Sequence, residues 1–168
     1  RFGRNCRSGF LSAYAIRSMR RLVLLGATGS IGQSTLDVIR SHPDHFQLVG
    51  ATAHTSAKEL QTIVEEFSLS HFALTSTAHE SDNPDKLDCK ASSLVNSIEA
   101  DIVVNAIAGA AGLAPSIATL RSGKNLALAN KETIVMAGKL VLGLADRMQQ
   151  TVLPVDSEHA ALFFLLER

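Results

Sequence analysis

Residues 22–40 read LVLLGATGSIGQSTLDVIR. An apolar run of strand length, 21–26, meets three glycines spaced three apart, Gly26, Gly29 and Gly32. Ile31, Thr35, Val38 and Ile39 then recur at helical spacing. A strand, a glycine turn and a helix in direct succession predict a β–α unit that presents backbone N–H groups to an anion. The spacing G-x-x-G-x-x-G is a variant of the dinucleotide fingerprint. There the first glycine permits a tight turn, the middle one lets a pyrophosphate approach, and the third lets helix and strand pack closely. Thr28 and Ser30 add hydroxyl donors. The same residues can also form a tight turn that holds no ligand.

Outward from this unit the chain keeps alternating. The first helix should stop before His42-Pro43, because the residue before a proline leaves the helical region. Residues 46–53 read as a strand, and Leu60, Ile63, Val64 and Phe67 as the stripe of a second helix. A short strand at 71–75 is followed by a polar stretch, 76–90, that reads as a loop or irregular helix. Residues 101–107 form an apolar strand running into the turn AGAAG, then a short helix at 113–121 ended by Gly123. A strand at 125–129 precedes a longer helix marked by Ile134, Gly138, Val141, Ala145 and Met148. The last strand is 151–155, and 160–166 starts another helix. Strands apolar on both faces, alternating with helices, predict α/β architecture: a Rossmann-like doubly wound parallel sheet covered on both sides. Ligands of such sheets bind beyond the carboxyl ends of the strands. Residues 26–32, 54–56, 108–112, 130–132 and 156–159 all fall there.

Composition narrows the function classes. The chain has 168 residues, about one domain with the start of a second, and is 46% hydrophobic. Lys+Arg equals Asp+Glu at 16 each, so charge gives no reason to expect a nucleic acid or membrane partner. The absence of Trp and the single Tyr argue against a base-stacking platform. Cys6 and Cys89 form neither a metal spacing nor a disulfide framework, so a reducing compartment is the default. No apolar stretch reaches the roughly 18 uncharged residues of a membrane span. Residues 1–18 stand apart, with Arg1, Arg4, Arg7 and Arg17 and no acid. That composition fits a transit peptide. The preferred reading makes Met19 the true start and 1–18 upstream sequence, so this arm is left out of the fold.

Three further constellations carry candidate chemistry. After the second strand, an NAD-selective site places an acid on the ribose. Here no acid precedes Glu59; His54, Thr55 and Ser56 suit a 2′-phosphate instead, which favours NADP. The same residues can simply open the next helix, with Ser56 as its cap. In LALANKETIVMAGK, Asn130 can bond a cofactor amide or ribose, Lys131 offers a cation to an anionic substrate, and Glu132 sits near the positive helix end. Ordinary capping with a solvated lysine would look alike. In LPVDSEHAALFF, Asp156 and Glu158 are two apart and point the same way in extended backbone, a hard-oxygen pair for Mg²⁺ or Mn²⁺. Ser157 points away or toward a bound ligand, and His159 is either a third ligand or structural. The alternative is a helix start with Asp156 as cap.

Taken together, LGATGSIGQSTLDVI, NAIAGAAGL, LALANKETIVMAGK and LPVDSEHAALF resemble the 1-deoxy-D-xylulose 5-phosphate reductoisomerases, from about Met19 to Phe164. The resemblance implies an oxidoreductase of non-mevalonate isoprenoid synthesis. In that family a divalent metal, Mn²⁺, Mg²⁺ or Co²⁺, chelates the sugar phosphate, the skeleton rearranges to an aldehyde, and NADPH reduces it to 2-C-methyl-D-erythritol 4-phosphate. It implies cofactor contacts at Gly26, Thr28, Gly29, Ser30, Ile31, Ser56, Asn130 and Glu132. Lys131 and Ser157 would meet the substrate, and Asp156 and Glu158 the metal, with Lys131, Asp156 and Glu158 as the catalytic set. It divides the chain into the arm, an NADPH-binding domain at 19–153 and the start of a catalytic domain at 154–168. It further implies a homodimer for the full-length protein, in bacterial cytoplasm, or in a plastid if the arm is a transit peptide.

Departures from the family pattern qualify these expectations. His54-Thr55-Ser56 stands where the family commonly has Gly-x-Asn, so the resemblance leaves the 2′-phosphate contacts open. The stretch 76–90 is short for the family. The family's third metal carboxylate and its substrate-phosphate cluster lie beyond Arg168, so these residues are expected to bind NADPH and turn over no substrate. Two other functions share the glycine loop. A semialdehyde dehydrogenase needs a nucleophilic cysteine, and blocking Cys89 would test it. A non-catalytic NADP-binding domain needs no metal, and Mn²⁺ titration would separate it.

Overall fold

A computed structural model describes residues 19–76 and 90–155. Cys6, Cys89, Asp156, Ser157, Glu158, His159 and the helix expected at 160–166 lie outside the described residues. Strand β1 (Arg20–Leu25) leads into helix α1 (Ser30–Ser41), then β2 (Phe46–Ala53), α2 (Ala57–Phe67) and β3 (Phe72–Leu74). The second half runs α3 (Lys90–Ser97), β4 (Ile102–Asn105), a 3₁₀ turn (Ala110–Gly112), α4 (Leu113–Arg121), β5 (Asn125–Leu128), α5 (Lys131–Met148) and β6 (Val152–Pro154). The six strands form one all-parallel sheet in the order β3-β2-β1-β4-β5-β6.

The alternation of side chains in β1 explains the layering. Leu22 and Leu24 face one side and pack on Leu36 and Ile39 of α1 and Leu60 and Ile63 of α2. Val23 and Leu25 face the other and meet Ala91, Leu94 and Val95 of α3 and Ile98 just after it. A third cluster, Leu120, Leu126, Leu128, Val141, Leu144 and Ala145, joins α4, β5 and α5. All four residues of LVLL are buried. Each such side chain contributes roughly 1.5–3 kcal/mol on burial, so this run is the energetic centre of the sheet. Helix α3 packs on α4 and α4 on α5, opposite α1 and α2. The sheet is therefore covered on both faces, the doubly wound arrangement expected from the sequence.

The structure corrects some details of the sequence reading. In α1 the buried line is Gly32, Leu36 and Ile39, while Ile31 and Val38 are exposed. Gly32 replaces the expected large residue because the helix start lies against the glycine loop. Helix α3 was not expected at all. Its apolar positions Ala91, Leu94 and Val95, with Ile98 just past its end, do follow helical spacing, but Ser92, Ser93, Asn96 and Ser97 dilute the signal. Met148, expected in the buried stripe of α5, is exposed. Helix α5 is broken at Ala137 (φ −143°, ψ 25°), next to Gly138. Helices α2 and α5 end with Ser68 (φ 52°) and Gln149 (φ 55°) in the left-handed region, where N–H groups of the cap return to the last carbonyls.

Candidate functional site

The sheet order reverses direction between β1 and β4: from β1 the chain moves toward β3, and from β4 toward β6. Loops leaving the carboxyl ends of these two strands therefore diverge and leave a crevice between them. Glycine-loop residues 26–29 form one wall. The N–H of Gly26 donates to both the carbonyl and the hydroxyl of the buried Thr52 on β2, each at 3.1 Å, and Ala27 donates to the same carbonyl at 2.7 Å. A turn closes where Gly29 N–H meets the Gly26 carbonyl at 3.2 Å.

The three glycines have three different causes. Gly26 has φ +81°, and a Cβ on it would lie 2.8 Å from the Ala106 carbonyl oxygen. It is needed for both its backbone and its neighbour. At Gly32 a Cβ would lie 2.3 Å from the Gly26 oxygen, so α1 reaches the loop only without a side chain. Gly29 is unlike both. Its φ −78° and ψ 170° are open to any residue, and a Cβ would meet only the Gly26 oxygen at 3.6 Å. Neither strain nor packing within the chain demands glycine there. The missing side chain leaves room for a group from outside, beside the first-turn N–H groups of Ser30 and Ile31, which have no intrahelical acceptor. These residues fit a dinucleotide pyrophosphate.

The opposite wall is the loop 106–112, and two buried amides hold it. Asn105 ends β4 and is wholly buried. Its Nδ2 donates to the Gly112 carbonyl and to Ser116 Oγ, each at 2.8 Å, and its Oδ1 accepts from Ile107 N–H at 3.1 Å. Asn130 follows β5. Its Nδ2 donates to the carbonyls of Ile107 and of Gly109, the latter at 2.7 Å. Its Oδ1 caps α5 by accepting from Thr133 N–H at 2.8 Å. Gly109, at φ 71° and ψ −163°, occupies backbone space that side chains do not tolerate. Gly112 leaves room for the Asn130 amide, which a Cβ would approach to 2.5 Å.

The sequence-predicted residues fare differently. Residues 26–32, 54–56, 108–112 and 130–132 do share the carboxyl edge of the sheet. Thr28 is half-buried, and Ser30 and Ile31 are exposed at the start of α1. His54 and Thr55 are exposed after β2; His54 Nδ1 lies 3.2 Å from Thr75 Oγ1. Ser56 takes the cap position of α2, but its side chain makes no capping bond and is left available. Asn130 is 3% exposed, and both N–H bonds of its amide are committed inside the chain. Lys131 is exposed on the first residue of α5 and forms no ion pair among the described residues. Glu132 is half-buried in the first turn. Asp156, Ser157 and Glu158 follow β6 outside the described residues. Among the described residues no three His, Cys, Asp or Glu side chains are grouped to hold a metal. Thr52 and Asn105 were not singled out from the sequence. A polar residue inside or ending an otherwise apolar strand is the signal that marks both.

Strand order 3-2-1-4-5-6 with a glycine loop at the reversal point defines the Rossmann-like class of doubly wound domain. The sequence pattern of the 1-deoxy-D-xylulose 5-phosphate reductoisomerases matches residues 22–138, and the chain belongs to that family. The reductoisomerase of Treponema denticola is 43% identical over 147 residues, covering 88% of this chain and 39% of that protein. The chain thus spans about two fifths of the length of the relatives it matches. A solved reductoisomerase of Zymomonas mobilis in complex with NADPH superposes with a TM-score of 0.71 at 35% identity, over 84% of this chain and 40% of that one. A second, in complex with NADPH, fosmidomycin and magnesium, superposes at 0.72 with 36% identity, over 84% and 37%.

Proposed function

We propose that residues 19–153 are the NADPH-binding domain of a 1-deoxy-D-xylulose 5-phosphate reductoisomerase. The open space above Gly29 carries the reading: that glycine caps α1, yet neither its backbone nor its neighbours exclude a side chain, and the space is left free. The pyrophosphate lies over Gly26, Thr28, Gly29, Ser30 and Ile31, where free N–H groups meet its charge. From there the adenosine half runs over β2, and its 2′-phosphate meets His54, Thr55 and the uncommitted Ser56 hydroxyl. The nicotinamide half runs the other way, past loop 106–112 toward Asn130 and Glu132. Lys131, exposed and unpaired among the described residues, faces the anionic sugar phosphate. Ser157 meets the same substrate, and Asp156 and Glu158 hold the divalent metal, Mn²⁺ or Mg²⁺; these three assignments follow from the family resemblance. When bound, NADPH supplies a hydride and the metal polarises the substrate oxygens.

Residues 19–153 by themselves bind cofactor without turnover, because Asp156, Ser157 and Glu158, assigned above to metal and substrate, lie outside that domain. Fluorescence titration with NADPH and NADH tests the first part. Saturable NADPH binding, with NADH at least about tenfold weaker, is expected from a site without an acid after β2. No binding of either would refute the reading. Substrate-dependent NADPH oxidation in the presence of Mn²⁺ would refute the claim of no turnover.

A further inference from the structure

The two buried amides do more than fill the core. Ile107 is held through the peptide groups on both sides of its Cα, its N–H by Asn105 and its carbonyl by Asn130. The carbonyls of Gly109 and Gly112 are held by Asn130 and Asn105 in turn. Ser116 completes the set: its hydroxyl accepts from Asn105 and donates to the Gly112 carbonyl at 2.8 Å. Every one of these bonds ends on the loop that forms the β4 wall of the crevice or on the helix just behind it. Left to itself, a loop of sequence AIAGAAG, containing two glycines and small side chains, would sample many conformations. Asn105 contributes nothing to the crevice surface, being fully buried. Its bonds fix the shape of that wall.

We propose that Asn105 is a positioning residue for the nicotinamide-bearing half of the dinucleotide, acting through the backbone of 107–112 together with Asn130. This rests on the NADPH reading above. The adenosine half lies over β2, on the other side of the glycine loop, and is independent of the clamp. The two halves of the cofactor therefore serve as internal controls for each other. A ligand that carries only the adenosine end, adenosine 2′,5′-bisphosphate, reports the far side alone.

Asn105→Asp keeps the shape and the acceptor for Ile107 but loses the donors to Gly112 and Ser116. Asn130→Asp keeps the α5 cap, for which Asp serves as well as Asn, and loses the donors to Ile107 and Gly109. Calorimetric titration of each variant should show NADPH weakened about tenfold, while adenosine 2′,5′-bisphosphate changes by less than about twofold. Equal weakening of both ligands would overturn the proposal, since the amides would then support the fold as a whole. Unchanged NADPH affinity in either folded variant would overturn it too. If Asn105→Asp does not fold, Ser116→Ala, which removes an acceptor from the Asn105 amide and a donor to the Gly112 carbonyl, decides on the same criteria. An unaltered chain that binds neither ligand would refute the NADPH reading itself, and the proposal with it. Binding of adenosine 2′,5′-bisphosphate as tightly as NADPH by the unaltered chain would leave the reading standing and overturn the clamp alone.

Discussion

Alanine at Gly29 and at Gly32, tested one at a time, separates the two requirements on the glycine loop. At Gly32 the new Cβ would lie 2.3 Å from the Gly26 oxygen and 2.5 and 2.6 Å from the Ala27 oxygen and carbon. All three are backbone atoms, and ordinary contact begins at 3.4 Å. Helix α1 must therefore move off the loop by about 1 Å, in an interior packed too densely to absorb it. Overpacking of this kind costs about 1–3 kcal/mol, and three backbone contacts place Gly32→Ala at the upper end. The melting temperature should fall by about 6–12 °C for a chain of this size. At Gly29 the Cβ meets one atom at 3.6 Å, and the backbone is ordinary. Stability should change by less than about 1 kcal/mol, since the lower entropy of the unfolded chain is offset by the poorer fit of alanine at the cap position of α1. The methyl group nevertheless occupies the space of the pyrophosphate, and NADPH affinity should fall about a hundredfold. Thermal melts by circular dichroism without ligand, followed by NADPH fluorescence titration, read both quantities. A Gly29→Ala variant that binds NADPH like the unaltered chain, or melts as low as Gly32→Ala, would refute the argument.

Three more expectations concern the scaffold. Ser68→Gly and Gln149→Gly relieve left-handed residues at helix ends, and each should raise stability by about 1 kcal/mol in urea denaturation; a loss would contradict the assigned caps. Lys124 is 7% exposed, and burial pushes its ammonium below the usual lysine range while Glu99 pulls it back up. The folded chain then holds this proton less tightly than the unfolded one, so stability should climb as pH rises toward 10.5. Lys124→Met should remove that climb, read from urea midpoints at pH 8 and pH 10; an unaltered slope would count against it. Arg40 joins α1 to α2 through Glu66, donating at 2.6 and 2.7 Å. Its guanidinium holds the Glu66 carboxyl below its ordinary 4.5. The contribution is present above that value and lost as pH falls through the lowered one. Being solvent-facing, the pair is worth at most about 1 kcal/mol, so Arg40→Met should differ from the unaltered chain at pH 7 and converge with it in acid.

Much of this was legible because β1, the glycine loop and α1 are encoded in one short stretch, residues 20–41. Hydrophobic run, turn glycines and helical spacing are all local signals. The strand at 46–53 and the helix at 113–121 were legible for the same reason, each bounded by its own turn residues. What could not be read is the tertiary part. Nothing near Asn130 in the chain reveals that its amide is spent on Ile107 and Gly109. Read alone it looks available to a cofactor. Asn105 likewise shows only a polar residue at a strand end; its partners become visible when α4 folds back over the loop. The exposed side of α1 was misjudged because close approach to the glycine loop, rather than residue size, decides which face turns inward. Helix α3 was missed because four polar side chains interrupt an otherwise regular stripe.

The reversal of strand order has a consequence for the order in which the molecule is made. Leu22 pairs with Leu48 after one helix, but with Ile102 only after most of the sheet's first half has been laid down. Loop-closure entropy makes such distant pairings late and slow. The crevice between the glycine loop and the β4 loop does not exist until that closure occurs. A dinucleotide therefore recognises a finished sheet, and a glycine turn formed early in a nascent chain offers it only half a site. At a hundredfold excess over Kd, a ligand of this kind stabilises the finished state by about 2.7 kcal/mol. That gain should appear as slower unfolding, with the rate of folding left unchanged.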